Sequence, residues 1–239
     1  MHYTKKLIGL AAVGILAVGC GSGDSSNTAG IPAADPKPEA AQETSAAPQQ
    51  ATLPVAVDGP QKDVLRSSSD GQLKVLPKPD NSAPFTERVE HKLQEQVLGR
   101  VKVPGKTSAE CPDGVTQKAG AVSTCNVTYE GAVIPYEVKI SDSYKEGSFM
   151  TFYNAKPLKS LIVAKTVYHQ LYEQYGKESG LEASKLACEE FPVAQAVDLN
   201  GDSGLTCQYW SKYGNKGEGG FETLRVKAGT YGPSFEQVR

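Results

Sequence analysis

The sequence predicts an α+β fold made of two tandem small units, each a helix packed on an antiparallel β-sheet with one disulfide. Three observations carry this. Two segments space their apolar residues as one face of a helix, strand-like alternation follows each of them, and helix, glycine and cysteine recur at nearly one offset.

In chain order, residues 1–19 read as an export signal. Met1-His2-Tyr3-Thr4-Lys5-Lys6 supplies a positive start, and an apolar run from position 7 to 19 follows. That run is too short and wrongly flanked to span a membrane. Ala17-Val18-Gly19-Cys20 resembles a bacterial lipobox. The resemblance implies cleavage before Cys20 and lipidation of its thiol, palmitate included, with the chain held at the outer face of the cell membrane. Two acyl chains hold firmly, because each buried methylene contributes about 0.8 kcal/mol.

Residues 20–84 read as a disordered tether behind the lipid. Small, polar and proline residues dominate, as in Ala33-Ala34-Asp35-Pro36-Lys37-Pro38-Glu39, and large apolar side chains are almost absent before Leu53. Such a stretch buries too little surface to offset the entropy of ordering it. A strand over Gln72-Leu73-Lys74-Val75-Leu76 is conceivable, but Pro77 closes it, and the segment is expected to stay disordered.

Residues 85–157 form the first unit. Phe85, Val89, Leu93 and Val97 lie on one helical face, Thr86 is the expected N-cap, Glu87 and Glu90 suit the positive helix start, and Gly99 is the expected stop. After Cys111, residues 123–129 alternate, Glu130-Gly131 turns, and residues 133–140 alternate again. Ile134, Tyr136, Val138 and Ile140 then share a face while Glu137 and Lys139 point away. Residues 148–153 are a further candidate strand. Residues 158–239 form the second unit, with a helix over 161–175 whose face carries Ala164, Val167, Leu171 and Tyr175, stopped by Gly176. Leu205, Cys207 and Tyr209 share a strand face, and 221–226 reads as the partner strand. The recurrence is numerical: 176 − 99 = 77, 188 − 111 = 77, and the helix faces match at 167 − 89 = 78.

Beyond Cys20 the cysteines are Cys111, Cys125, Cys188 and Cys207, and an even number in an exported chain implies disulfides. Three connectivities are possible; the repeat favours Cys111–Cys125 with Cys188–Cys207. A closed loop of about 15 residues contributes around 3 kcal/mol. No Cys-x-x-Cys pair suggests zinc or redox chemistry.

The stretch Glu110-Cys111-Pro112-Asp113-Gly114-Val115, then Lys118-Ala119-Gly120-Ala121 and Cys125-Asn126-Val127-Thr128, resembles the actinobacterial lipoproteins that carry domain of unknown function 4333. The resemblance covers positions 85–140. It implies an envelope location and a paired Cys111–Cys125, and no activity. Ala187-Cys188-Glu189-Glu190-Phe191-Pro192 departs from it by lacking the Cys-Pro step.

Between positions 85 and 239 we count 18 Lys and Arg against 19 Asp and Glu. This balance argues against a nucleic-acid partner, which would favour a basic patch. His91 and His169 are expected on solvated helix surfaces, without a triad motif. Asp198-Leu199-Asn200-Gly201-Asp202-Ser203-Gly204 lacks the glycine and glutamate of an EF-hand at its sixth and twelfth positions and reads as a turn. The glycine-rich 213–220 segment reads as a mobile hairpin loop rather than a phosphate loop. Beside it, Trp210, Tyr213 and Tyr209 are the candidate binding residues, with Trp210 expected on the strand face opposite Tyr209. No metal, cofactor or catalytic set is expected.

Function therefore reads as a lipid-anchored, non-catalytic binding or interaction module that meets an envelope protein or a cell-wall ligand. One alternative is a secreted-hydrolase inhibitor, since tandem helix-on-sheet units with one disulfide each resemble in architecture the secreted beta-lactamase inhibitory proteins. The other is an envelope enzyme acting through Glu189, Glu190, Asp198 or Asp202.

Overall fold

The computed structural model describes residues 51–229 and 232–238. The leader, Cys20 and positions 21–50 of the expected tether lie outside these residues.

Helix α1 (Phe85–Val101) buries Val89, Leu93 and Val97, the face its sequence spacing dictates, together with Leu98 and Val101. Its ends differ from expectation. Pro84 is the N-cap and makes no side-chain cap. Thr86 lies inside the helix, where Oγ1 accepts a hydrogen bond from the Val115 amide at 2.9 Å. The helix runs through Gly99 and ends at Lys102 in the left-handed region. Gly99 serves close approach instead: a Cβ there would stand 3.1 Å from the Ser68 carbonyl.

The first sheet follows as β2 (Thr107–Glu110), β3 (Val122–Tyr129), β4 (Ala132–Ile140) and β5 (Tyr153–Pro157), in that spatial order and antiparallel throughout. Glu130 and Gly131, both at positive φ, make the two-residue β3–β4 turn. Ile134, Tyr136, Val138 and Ile140 alternate into the core, and Glu137 and Lys139 point out. The fourth strand starts only at Tyr153. Residues 148–152 form a loop with Phe149 fully exposed; the β4–β5 ladder ends where the Ser141 amide donates to the Phe152 carbonyl at 2.9 Å.

The second helix is shorter than its apolar pattern suggests. Residues 160–163 form β6 (Ser160–Val163), and α2 (Ala164–Tyr175) begins after it, burying Val167 and Leu171 and ending at Gly176. Strand β7 (Ala183–Cys188) then leads through β8 (Ala194–Val197) to β9 (Asp202–Ser211), β10 (Gly220–Gly229) and β11 (Gly232–Gln237). The inter-cysteine segment is longer here, 19 positions against 14, and carries β8. That strand pairs with β6 as a separate two-stranded ribbon. Alternate residues of the ribbon face different cores: Leu161 and Val163 pack with the first, Ile162 with the second.

The tether boundary at position 84 needs correction. Residues 51–84 are built into the fold. Strand β1 (Val55–Ala56) pairs with β7, completing a sheet of order β1-β7-β9-β10-β11, and Val57 is buried in the second core. The chain then crosses to the first core, where Leu73 is 2% exposed. Residues 71–73 are a single 3-10 turn capped by Asp70, not a strand. Composition suggested disorder because the apolar residues here come singly; each fills a position on a surface that distant segments provide.

The α+β class, antiparallel sheets and both disulfides agree with the sequence reading. Cys111–Cys125 lies in the first core and Cys188–Cys207 in the second. Each is flanked by a carboxylate that takes up a backbone amide: Glu90 accepts from the Cys111 amide at 2.7 Å, and Glu189 from the Thr206 amide at 2.6 Å.

Candidate functional site

A cleft of about 900 Å³ opens between elements of the two cores. One bank is the end of α1 with the crossing segment, joined by the Leu65 amide donating to the Lys102 carbonyl at 2.8 Å. It carries Arg66, Arg100 and Lys102 above an apolar base of Val64, Leu65 and Val101. Arg100 in the last helical turn also complements the helix dipole. The other bank is α2. Thr166, His169, Gln170 and Glu173 recur at i, i+3, i+4 and i+7, so they form a polar stripe beside the buried Val167 and Leu171. Glu178 and the Leu199–Asn200 turn complete this side.

Hydrogen bonding within the α2 bank is partly settled. Thr166 Oγ1 donates to the Val163 carbonyl at 2.7 Å, so its hydroxyl is occupied. His169 Nε2 lies 3.3 Å from Glu173, one helical turn on. The ring's Nδ1 is enclosed and has no partner. Among the described residues no hydroxyl is bonded to His169, and no carboxylate lies within 4.0 Å of Arg66, Arg100 or Lys102. The pocket therefore holds charge and hydrogen-bonding capacity without a nucleophile–base pair.

The three aromatic candidates do not converge. Tyr209 packs on the helix side of its sheet, stacked on Tyr175 with centroids 4.6 Å apart, and burial raises the pKa of both phenols. Trp210 takes the opposite face, as its strand position predicts, and is half-buried. Lys185 Nζ stands 6.0 Å from its ring, and a Cβ on Gly219 would come within 2.9 Å of it. Tyr213 is 72% exposed, and its hydroxyl donates to Glu182 at 3.4 Å. The adjoining segment joins β9 to β10 as a hairpin loop, as expected, and it is internally bonded. Gly217 and Gly219 amides both donate to the Gly214 carbonyl, and Asn215 Nδ2 donates to Glu218.

His91 is tied down rather than solvated, donating from Nε2 to the Val75 carbonyl at 2.9 Å. Of the four candidate carboxylates, Glu189 holds a strand amide, while Asp202 pairs with Arg225 at 3.0 Å and accepts from the Gly204 amide. Glu190 and Asp198 are exposed. Among the described residues no group of three or more His, Cys, Asp or Glu side chains is placed to hold a metal ion.

Sequence reasoning missed the cleft. The α2 stripe is legible as a helical period, but Arg66 falls in the segment taken for a tether, and its approach to Arg100 and Lys102 depends on the crossing. No family model matches the chain, and neither a curated protein nor a solved structure is similar to it.

Proposed function

We propose that this chain is an extracytoplasmic lipoprotein, anchored to the cell membrane through Cys20, whose folded part is a non-catalytic binding module of the cell envelope. The cleft carries this reading: an apolar base, a polar helix stripe and three cations with no carboxylate partner among the described residues are the makings of a ligand site. Two disulfides support an oxidising compartment outside the cytoplasm. The lipobox-like Ala17-Val18-Gly19-Cys20 supports the anchor. The module is read as two tandem helix-on-sheet units with one disulfide each, the first resembling domain of unknown function 4333, joined by the β6–β8 ribbon.

The test has two parts. Labelled palmitate fed to a bacterial host should enter the full chain and not Cys20→Ala. Native mass spectrometry of the full chain after incubation with solubilised envelope should show an added mass, reduced in Arg100→Glu. A chain that takes no label and captures nothing would end the reading.

A second reading, an inhibitor of secreted hydrolases, is favoured by one feature. Phe149, Met150 and Phe152 are exposed together in the loop before β5, Phe149 at 102%. Large apolar side chains displayed on a loop suit insertion into another protein's pocket. Inhibition of a panel of secreted hydrolases, abolished by Phe149→Ala with Phe152→Ala, is the expected result under that reading.

A further inference from the structure

The lining groups on the two banks of the cleft carry opposite charge, and the banks meet at one ion pair outside that lining, Lys165 of α2 with Asp63 of the crossing segment at 3.2 Å. Arg66, Arg100 and Lys102 present only donors, because guanidinium and ammonium groups have no acceptor. Glu173 and Glu178 present carboxylate acceptors. Among the described residues none of these five groups forms an ion pair across the gap; Glu173 is engaged only by His169 of its own helix. Paired banks would cancel each other's field. Left unpaired with each other, these five groups above the apolar base of Val64, Leu65 and Val101 keep that field directed across the space.

Resting on the binding-module reading, we infer that the cleft takes a zwitterionic ligand of peptide class. Its carboxylate end lies against Arg66, Arg100 and Lys102, and its ammonium end against Glu173 and Glu178. A purely anionic ligand would meet repulsion from the α2 bank, and a purely cationic one from the α1 bank. Gln170, with one carbonyl and one amide, serves the backbone of such a ligand between the two ends. The volume, about 900 Å³, lies in the range of small-molecule sites and admits a short peptide.

The experiment is calorimetric titration of the full chain in detergent with tetra-alanine, against three controls: N-acetylated, C-amidated and doubly capped tetra-alanine. The proposal expects saturable binding of the free peptide, weakened at least ~10-fold by capping either end, the size of one lost charge contact of moderate strength. Arg100→Gln should weaken the free peptide ~5–10-fold yet leave the N-terminal capping penalty unchanged; Glu178→Gln should do the converse. Both side chains are exposed, so neither variant is expected to unfold, and an unaltered thermal midpoint checks it.

Equal binding of capped and free peptides overturns the proposal. So does a lowered thermal midpoint with unchanged binding in both variants, which would make the charges structural. No binding of any probe, while an envelope extract still adds mass to the chain, overturns the zwitterion and leaves the binding module standing. No binding and no captured mass overturns both.

Discussion

Replacing Leu73 by alanine tests whether the segment ahead of α1 belongs to the fold. Leu73 is 2% exposed and packs in the first core, whereas Leu76, three positions on, is 81% exposed. Leu→Ala removes three carbons, about 2.4 kcal/mol of transfer free energy at ~0.8 kcal/mol each. The cavity left behind adds to this, and fully buried leucines reach about 3–5 kcal/mol. Leu73 sits on a single 3-10 turn at the rim of its core, which can settle partly into the gap, so about 3 kcal/mol is expected. Leu76→Ala should change stability by less than about 0.5 kcal/mol. Urea unfolding of the full chain, followed by circular dichroism, measures both. Had this stretch been a tether, the two variants would behave alike; equal, near-zero effects would refute the docking of residues 51–84.

Four more outcomes are expected. Burial, aided by the Glu130 charge, pushes the Tyr129 phenol up to about 12 from an ordinary value of 10.0. Its contribution is therefore intact below pH 10 and falls away as pH rises from 10 to about 12, a loss of roughly 2–3 kcal/mol at about 1.4 kcal/mol per unit, made shallower in Tyr129→Phe. Gly105→Ala should cost about 1–3 kcal/mol in a thermal melt, because the new Cβ would lie 2.8 Å from the Tyr129 ring, which its bond to the Val103 carbonyl holds in place. Cys188→Ala with Cys207→Ala should cost about 3 kcal/mol, since the bridge closes a loop of 19 positions. Trp210 fluorescence and circular dichroism should report one coincident unfolding transition, because the β6–β8 ribbon serves both cores; separate transitions would show that the cores unfold independently.

What was legible in the sequence follows from the range over which its causes act. The α1 face and the β3–β4 hairpin could be read because period and turn chemistry are local: Val89, Leu93 and Val97 recur within one helix, and Glu130-Gly131 supplies the positive φ its turn requires. The cysteine pairing followed from recurrence. Leu161, Ile162 and Val163 misled, since a short apolar run fits a buried helix or a strand equally well. Thr86 and Gly99 carry residue types expected at helix ends, yet their roles are set by Val115 and Ser68, which tertiary structure brings to them. The cleft was hidden in the same way. Tyr209 and Trp210 were placed on opposite faces correctly, but the cleft depends on Arg66 reaching Arg100 and Lys102, and no local pattern encodes that.

The two-residue strand β1 also decides how the molecule bears a pull. Tension along the chain ahead of residue 51 enters at Val55 and Ala56, opposite Cys188 and Ala187, and Cys188 is covalently joined to Cys207 in the neighbouring strand. The rung that takes the load first is therefore short, while the backing behind it is cross-linked. Under force the edge should peel first, drawing Val57 out of the second core before the load passes to Leu65 and Leu73 in the first. Were the chain held from its N-terminal side, that segment would act as a mechanical fuse, giving length under strain while the two disulfides still bridge their strands.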